Sequence, residues 1–226
     1  MLVDKRIVLV VGHYGSGKTE FALNYAIKLL EKNKKIAIVD LDIVNPYFRS
    51  REKKEFIEKN GIRLISNNFD YDIAVDLPSV SASVYAPLQD KDCHVVFDVG
   101  GDNVGARVLA QYKKYFKENE YDMYCVINAN RPETSNLEGA LYHISSIEHE
   151  TGLKITGIIN NTHLIRETKK EDIFRGQILC SEISREINIP LKYVCYVQEI
   201  LKQFPEISTG QIFPIKLYMR PSWLDK

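Results

Sequence analysis

The sequence predicts an α/β fold in three layers, a mostly parallel sheet of about seven strands with helices on both faces. Three observations support this. Apolar runs of strand length alternate with longer amphipathic stretches, Gly12-His13-Tyr14-Gly15-Ser16-Gly17-Lys18-Thr19 joins the first strand to the first helix, and two later apolar runs end in aspartate. Parallel strands need crossover connections of helix length, and this alternation supplies them.

The strands are expected at Arg6–Val11, Lys35–Asp40, Ile62–Ser66, His94–Val99, Asp122–Asn128, Ile155–Asn160 and Lys192–Val197. Each is rich in Val, Ile or aromatic residues and short enough to cross one sheet. Between them the spacing predicts helices over Lys18–Asn33, Ser50–Asn60, Val104–Asn119, Ser135–Thr151 and Thr168–Ile187, with a weaker pattern near Ser79–Asp90. Gly61 and Gly152 stand where two of these helices should stop. The stretch Phe204–Lys226 holds three prolines and reads as irregular wrapping. With 226 residues and no linker, repeat or low-complexity tract, residues 1–226 are expected to form one domain.

Thirty basic and thirty acidic residues balance, so the bulk charge gives no sign of a nucleic-acid surface. The four cysteines, Cys93, Cys125, Cys180 and Cys195, form no C-x-x-C pair and read as reduced, buried thiols. Neither a signal peptide nor a membrane span fits the start of the chain, and prolines 214 and 221 interrupt any basic amphipathic helix at its end. A cytoplasmic protein with no membrane or nucleic-acid partner is expected.

The segment Gly12–Thr19 satisfies G-x-x-x-x-G-K-[ST] between a strand and a helix, the context a phosphate-binding loop requires. Gly12, His13, Tyr14, Gly15, Ser16 and Gly17 supply backbone N–H groups that turn toward one point, where they and the helix N-terminus hold phosphate oxygens. Lys18 adds a point charge for the β- and γ-phosphates, Thr19 offers a magnesium ligand, and Glu20 follows directly.

Ligands in an open parallel sheet bind beyond the carboxyl ends of the strands. Asp40 and Asp42 occupy alternate positions after the second strand, in a loop that continues to Asn45-Pro46-Tyr47-Phe48-Arg49. They suit either magnesium and an attacking water or a helix cap with a solvated charge. Asp98, followed by Val99, Gly100 and Gly101, suits a magnesium-sensing carboxylate and a loop that contacts the γ-phosphate. Asn160 and Asn161 end a late strand and could read a base edge or simply form a turn. Asn128 and Arg131 end the strand before it and could border the same pocket. No Asn-Lys-x-Asp occurs for guanine.

In this order the pieces resemble the MinD/ParA branch of P-loop NTPases, also described as CobQ/CobB/MinD/ParA nucleotide-binding domains. More narrowly, they resemble an ATP-binding subgroup whose loops read G-H-Y/F-G-S-G-K-T-E and D-x-D-I-V-N-P-Y-F-R. The resemblance implies an ATP and Mg2+ site, with Lys18 and Asp42 catalytic and Thr19, Asp40, Asp42 and Asp98 around the metal. It also implies ATP hydrolysis in a nucleotide-dependent switch, often with homodimerisation. Members of this branch usually carry a second lysine at the position of His13, and commonly glycine at that of Tyr14, so the shared two-lysine dimer mechanism does not transfer. His13 is left to contact phosphate or to pack, and Arg49 or Arg51 could replace the lysine. Three functions remain open: a switch ATPase with a protein partner, a small-molecule kinase or amide ligase with an acceptor near Asp42, Arg49, Asp102 and Arg107, and a non-hydrolysing ATP-binding scaffold.

Overall fold

The computed structural model describes residues 4–32, 35–42, 53–66, 82–101, 103–197, 207 and 209–219. Asn45–Arg49, Arg51 and Asp102 lie outside them, as does Ser50 at the start of the second expected helix. Among the described residues eight strands form one sheet: β1 (Ile7–Val11), β2 (Lys35–Leu41), β3 (Ile62–Ser66), β4 (Cys93–Val99), β5 (Tyr121–Ile127), β6 (Gly157–Asn160), β7 (Leu191–Val197) and β8 (Gln211–Ile215). Their order is β3-β2-β4-β1-β5-β6-β7-β8, and every neighbouring pair is parallel.

The helices are α1 (Lys18–Leu30), α2 (Lys54–Lys59), α3 (Tyr85–Gln89), α4 (Asn103–Ala106), α5 (Leu137–Thr151) and α6 (Lys170–Glu186). Both faces of the sheet are covered, which explains why β1 is apolar throughout and why β1 and β5 are buried at every position. The pleat of β1 shows the two cores. Ile7, Leu9 and Val11 pack with Leu109, Tyr112, Ile144 and Leu179, whereas Val8 and Val10 pack with Phe21, Tyr25, Ile57 and Phe213. Gly61 and Gly152 take left-handed conformations behind α2 and α5, as helix stops require.

Two expectations are corrected. The stretch expected to wrap irregularly contains β8, an eighth parallel strand on the edge beside β7. An edge strand tolerates Pro214 because its missing N–H removes no interior ladder bond. The single helix expected over Val104–Asn119 is the short α4 followed by a 3-10 helix over Arg107–Tyr115. Tighter winding still buries Val108, Leu109 and Tyr112 on one side. All four cysteines are free and buried. No described helix is long and apolar enough to cross a membrane.

At the amino-terminal end of the sheet, Asp4 accepts hydrogen bonds from Tyr25 Oη at 2.7 Å and from Tyr193 Oη, with Lys192 Nζ at 3.3 Å. Its side chain is 3 % exposed. Burial opposes its charge, yet the tyrosine hydroxyls and Lys192 outweigh burial and hold the carboxyl below the usual range.

Candidate functional site

The site lies where the chain order of the sheet reverses, beyond the carboxyl ends of β4, β1 and β5. The loop leaving β1 needs glycine at Gly12, Gly15 and Gly17, whose φ values are 138°, 71° and 85°. Gly17 is the N-cap of α1 and no side chain caps the helix, so its first turn presents backbone donors and a positive dipole end to the loop. That is the chemistry of a phosphate cradle. Lys18 is 5 % exposed and its Nζ donates to His13 O at 3.2 Å, so the loop wraps around the ammonium.

Carboxylates gather on the β2–β4 side. Parallel pairing sets Asp40 directly beside Asp98, and Asp40 Oδ1 accepts from Asp42 N at 3.1 Å. Asp98 is wholly buried and neither of its oxygens makes a well-formed hydrogen bond. Burial first, then the Asp40 charge, push its carboxyl well above the usual carboxylate range, while Thr19 and Lys18 pull the other way. A buried acid without a well-formed hydrogen bond, facing Thr19 and flanked by two more aspartates, fits a divalent cation. Among the described residues no three acidic, histidine or cysteine groups form a complete cage. Magnesium suits such a partial set because it takes one or two carboxylates and completes its shell with water and phosphate.

The turn after β4 closes over this side. A methyl group on Gly100 would come within 3.6 Å of Asp42 Oδ1, and one on Gly101 within 3.0 Å of Lys18 Nζ. Gly100, Gly101, Asp42, Asp98, Lys18 and Thr19 are therefore brought together. His13 borders the loop on the other side, with Nδ1 3.7 Å from Glu133 and its ring edge-on to His143 at 5.3 Å. Tyr14 is 53 % exposed.

Three expected nucleotide contacts are occupied by the protein itself. Glu20 accepts from the backbone N–H groups of Tyr218 and Met219, and burial raises its carboxyl to about 7. It fastens the segment after β8 to α1. Asn160 is fully buried, accepting from Thr162 N and donating to Ile173 O. Asn161 donates to Ser16 O at 2.7 Å and so braces the phosphate loop from behind. Arg107 ion-pairs with Glu150 on α5 at 2.8 Å.

Arg131 donates from Nε to Gly15 O at 2.9 Å, and His163 stands against Gly17. Sequence placed Arg131 only at the border of a pocket and gave His163 no role. Their signal was a position just after β5 and β6, shared with many turn residues. A separate groove of about 610 Å3 opens between α5 and α6, lined by Asn136, Leu137, Phe174, Arg175 and Ile178.

No known protein-family profile matches the chain, and no curated protein matches it. Solved structures do. The cell division protein FtsY of Thermotoga maritima is 23 % identical, with a TM-score of 0.54, over 82 % of this chain and 60 % of its own. FtsY of Mycoplasma mycoides is 22 % identical, with a TM-score of 0.55, over 82 % of this chain and 58 % of its own. A nucleotide-binding protein from Archaeoglobus fulgidus in complex with ADP is 17 % identical, with a TM-score of 0.53, over 88 % of this chain and 84 % of its own. The chain thus spans about 60 % of the length of the FtsY structures. These likenesses show the fold, a parallel sheet with helices on both faces.

Proposed function

We propose that the chain is a magnesium-dependent ATPase of MinD/ParA type whose loops respond to the state of the bound nucleotide. The observation that carries this reading is Asp98, a fully buried carboxyl without a well-formed hydrogen bond, set between Asp40 and the Lys18–Thr19 start of an uncapped helix. A buried charge in such a place calls for a counter-ion, and the glycine loop calls for an anion. Magnesium, held by Thr19 and Asp98 with Asp40 and Asp42 close by, would screen the charge on the transferring phosphoryl group.

The chain's own residues supply the rest. The backbone from Gly12 to Thr19 cradles the phosphates, and Lys18 leaves His13 O to meet the β- and γ-oxygens. Asp42, beside the Gly100 turn, orients the attacking water, with Asp40 holding its backbone. Gly100 and Gly101 rest against Asp42, the phosphate loop and Lys18, so loss of the γ-phosphate is felt by the turn leading to α4. A partner protein, or a second copy of the chain, reads that change.

The ADP complex of the Archaeoglobus fulgidus protein supports an adenine nucleotide, while an FtsY of Elizabethkingia anophelis has been solved with GDP. Phosphate release from magnesium-ATP and magnesium-GTP, measured side by side across protein concentrations, tests the proposal. Release from ATP above GTP supports it. Binding of ATP without release at any concentration removes hydrolysis from it.

A further inference from the structure

The phosphate loop has an outer face as well as an inner one. In such a loop the N–H groups turn toward the phosphate they would hold, which leaves carbonyls to turn away. Two side chains take those carbonyls: Asn161 Nδ2 donates to Ser16 O, and Arg131 Nε donates to Gly15 O. The Arg131 guanidinium lies so close to Gly15 that a methyl group there would sit 2.7 Å from its Cζ and 2.9 Å from Nη2. Arg131 thus rests against Gly15 on the β5 side of the loop, with its residue exposed to solvent.

His163 stands next along the same rim. A methyl group on Gly17 would lie 3.1 Å from its Nε2. Nδ1 accepts from Ile165 N at 3.2 Å, which leaves the proton on Nε2, facing the loop. Burial, and then Arg131, keep this ring neutral down to about 4.

The sheet gives the site a direction. The aspartates that suit a cation stand on the β2–β4 side of β1, and Arg131, Asn161 and His163 on the β5–β6 side. A nucleoside triphosphate with its γ end among the carboxylates directs its α-phosphate, ribose and base toward β5 and β6. There the side chains expected to read the base, Asn160 and Asn161, are bound to the protein's own backbone. Two planar groups stand there instead, the exposed, cationic Arg131 and the more buried, neutral His163.

We propose that Arg131 and His163 form the platform on which the base of the bound nucleotide stacks, making them specificity-determining residues of the site. The inference rests on the phosphate-site reading above. Stacking on guanidinium and imidazole planes favours aromatic bases over base-free polyphosphate.

Calorimetric binding of ADP and of inorganic pyrophosphate, both with magnesium, separates the two readings. In Arg131→Ala and Arg131→Lys, ADP affinity is expected to fall about tenfold, as loss of one stacking partner does, while pyrophosphate affinity stays within about twofold. His163→Ala follows the same pattern with a smaller loss. Unchanged pyrophosphate binding also reports that each variant is folded. Equal losses for both ligands would make Arg131 a phosphate contact and overturn the platform. So would full ADP affinity in Arg131→Lys, since charge alone would then suffice. Wild-type protein that binds neither ligand would instead remove the phosphate site itself, before any variant is made.

Discussion

Gly101 lies against the backbone of Tyr14: a methyl group at Gly101 would sit 2.8 Å from both the N and Cα atoms of Tyr14. The turn after β4 and the phosphate loop therefore touch main chain to main chain, with no side chain between them to absorb a shift. Gly101→Ala is expected to displace the loop, at about 1–3 kcal/mol of overpacking. Nucleotide affinity should drop while the far end of the sheet keeps its amide-exchange protection. Unaltered affinity would show that the two loops are not coupled.

Lys18→Ala is expected to abolish phosphate release, by at least about a hundredfold, and to weaken ATP binding as well. Asp42→Ala should keep binding and lose turnover, because Asp42 borders the turn at Gly100 and leaves the cradle intact. Turnover and affinity measured on both variants check the split. Full turnover in Asp42→Ala excludes this residue from water activation.

The Asp98 carboxyl keeps its proton to higher pH in the folded chain than in the unfolded chain, where it titrates near 4. Stability from this group is therefore greatest in acid and falls as pH rises above about 4. Asp98→Asn should remove that slope and raise the melting temperature of ligand-free protein at neutral pH. The same variant should lose most of the stabilisation that magnesium-nucleotide gives the wild type. Melting curves across pH, with and without ligand, test both halves.

His163 shows the opposite sign. Its ring titrates at about 4 when folded, against about 6.5 when unfolded. Its contribution is complete above 6.5 and is lost as pH falls toward 4. NMR titration of the histidine rings should find His163 still neutral at pH 5. A midpoint near 6.5 would contradict its burial beside Arg131.

Asp4→Ala strips the acceptor from Tyr25 and Tyr193 and the counter-charge from Lys192. A loss of about 2–4 kcal/mol is expected, because the buried hydroxyls are left without a partner. Urea unfolding measures it. Nucleotide affinity should hardly change, since this cluster sits at the end of the sheet away from the phosphate loop.

Much of the fold was legible because it is written in local patterns. The strand–loop–helix motif at Val11–Lys18 and the aspartates ending two apolar runs pointed to one end of the sheet, where the structure brings them together. What escaped depended on distance. Glu20 looked like part of the phosphate motif, yet its partners are about 200 residues away at Tyr218 and Met219. Asn160 and Asn161 offered the right groups for a base edge, but their amides are taken by Ile173 and Ser16. Pro214 hid β8, because a proline argues against a strand unless the strand is known to lie at an edge. Arg131 acquired meaning only when Gly15, 116 positions earlier, was found beneath it.

The bonds from Glu20 and Asn24 to the segment Lys216–Met219 set an order of events during synthesis. The helix that carries the phosphate site at its tip is made roughly 200 residues before its partners. Until Met219 emerges, α1 lacks these anchors and β7 lacks its edge neighbour. A nascent chain thus completes the support of this helix only once Met219 has emerged, which delays ligand capture until β8 has joined the sheet.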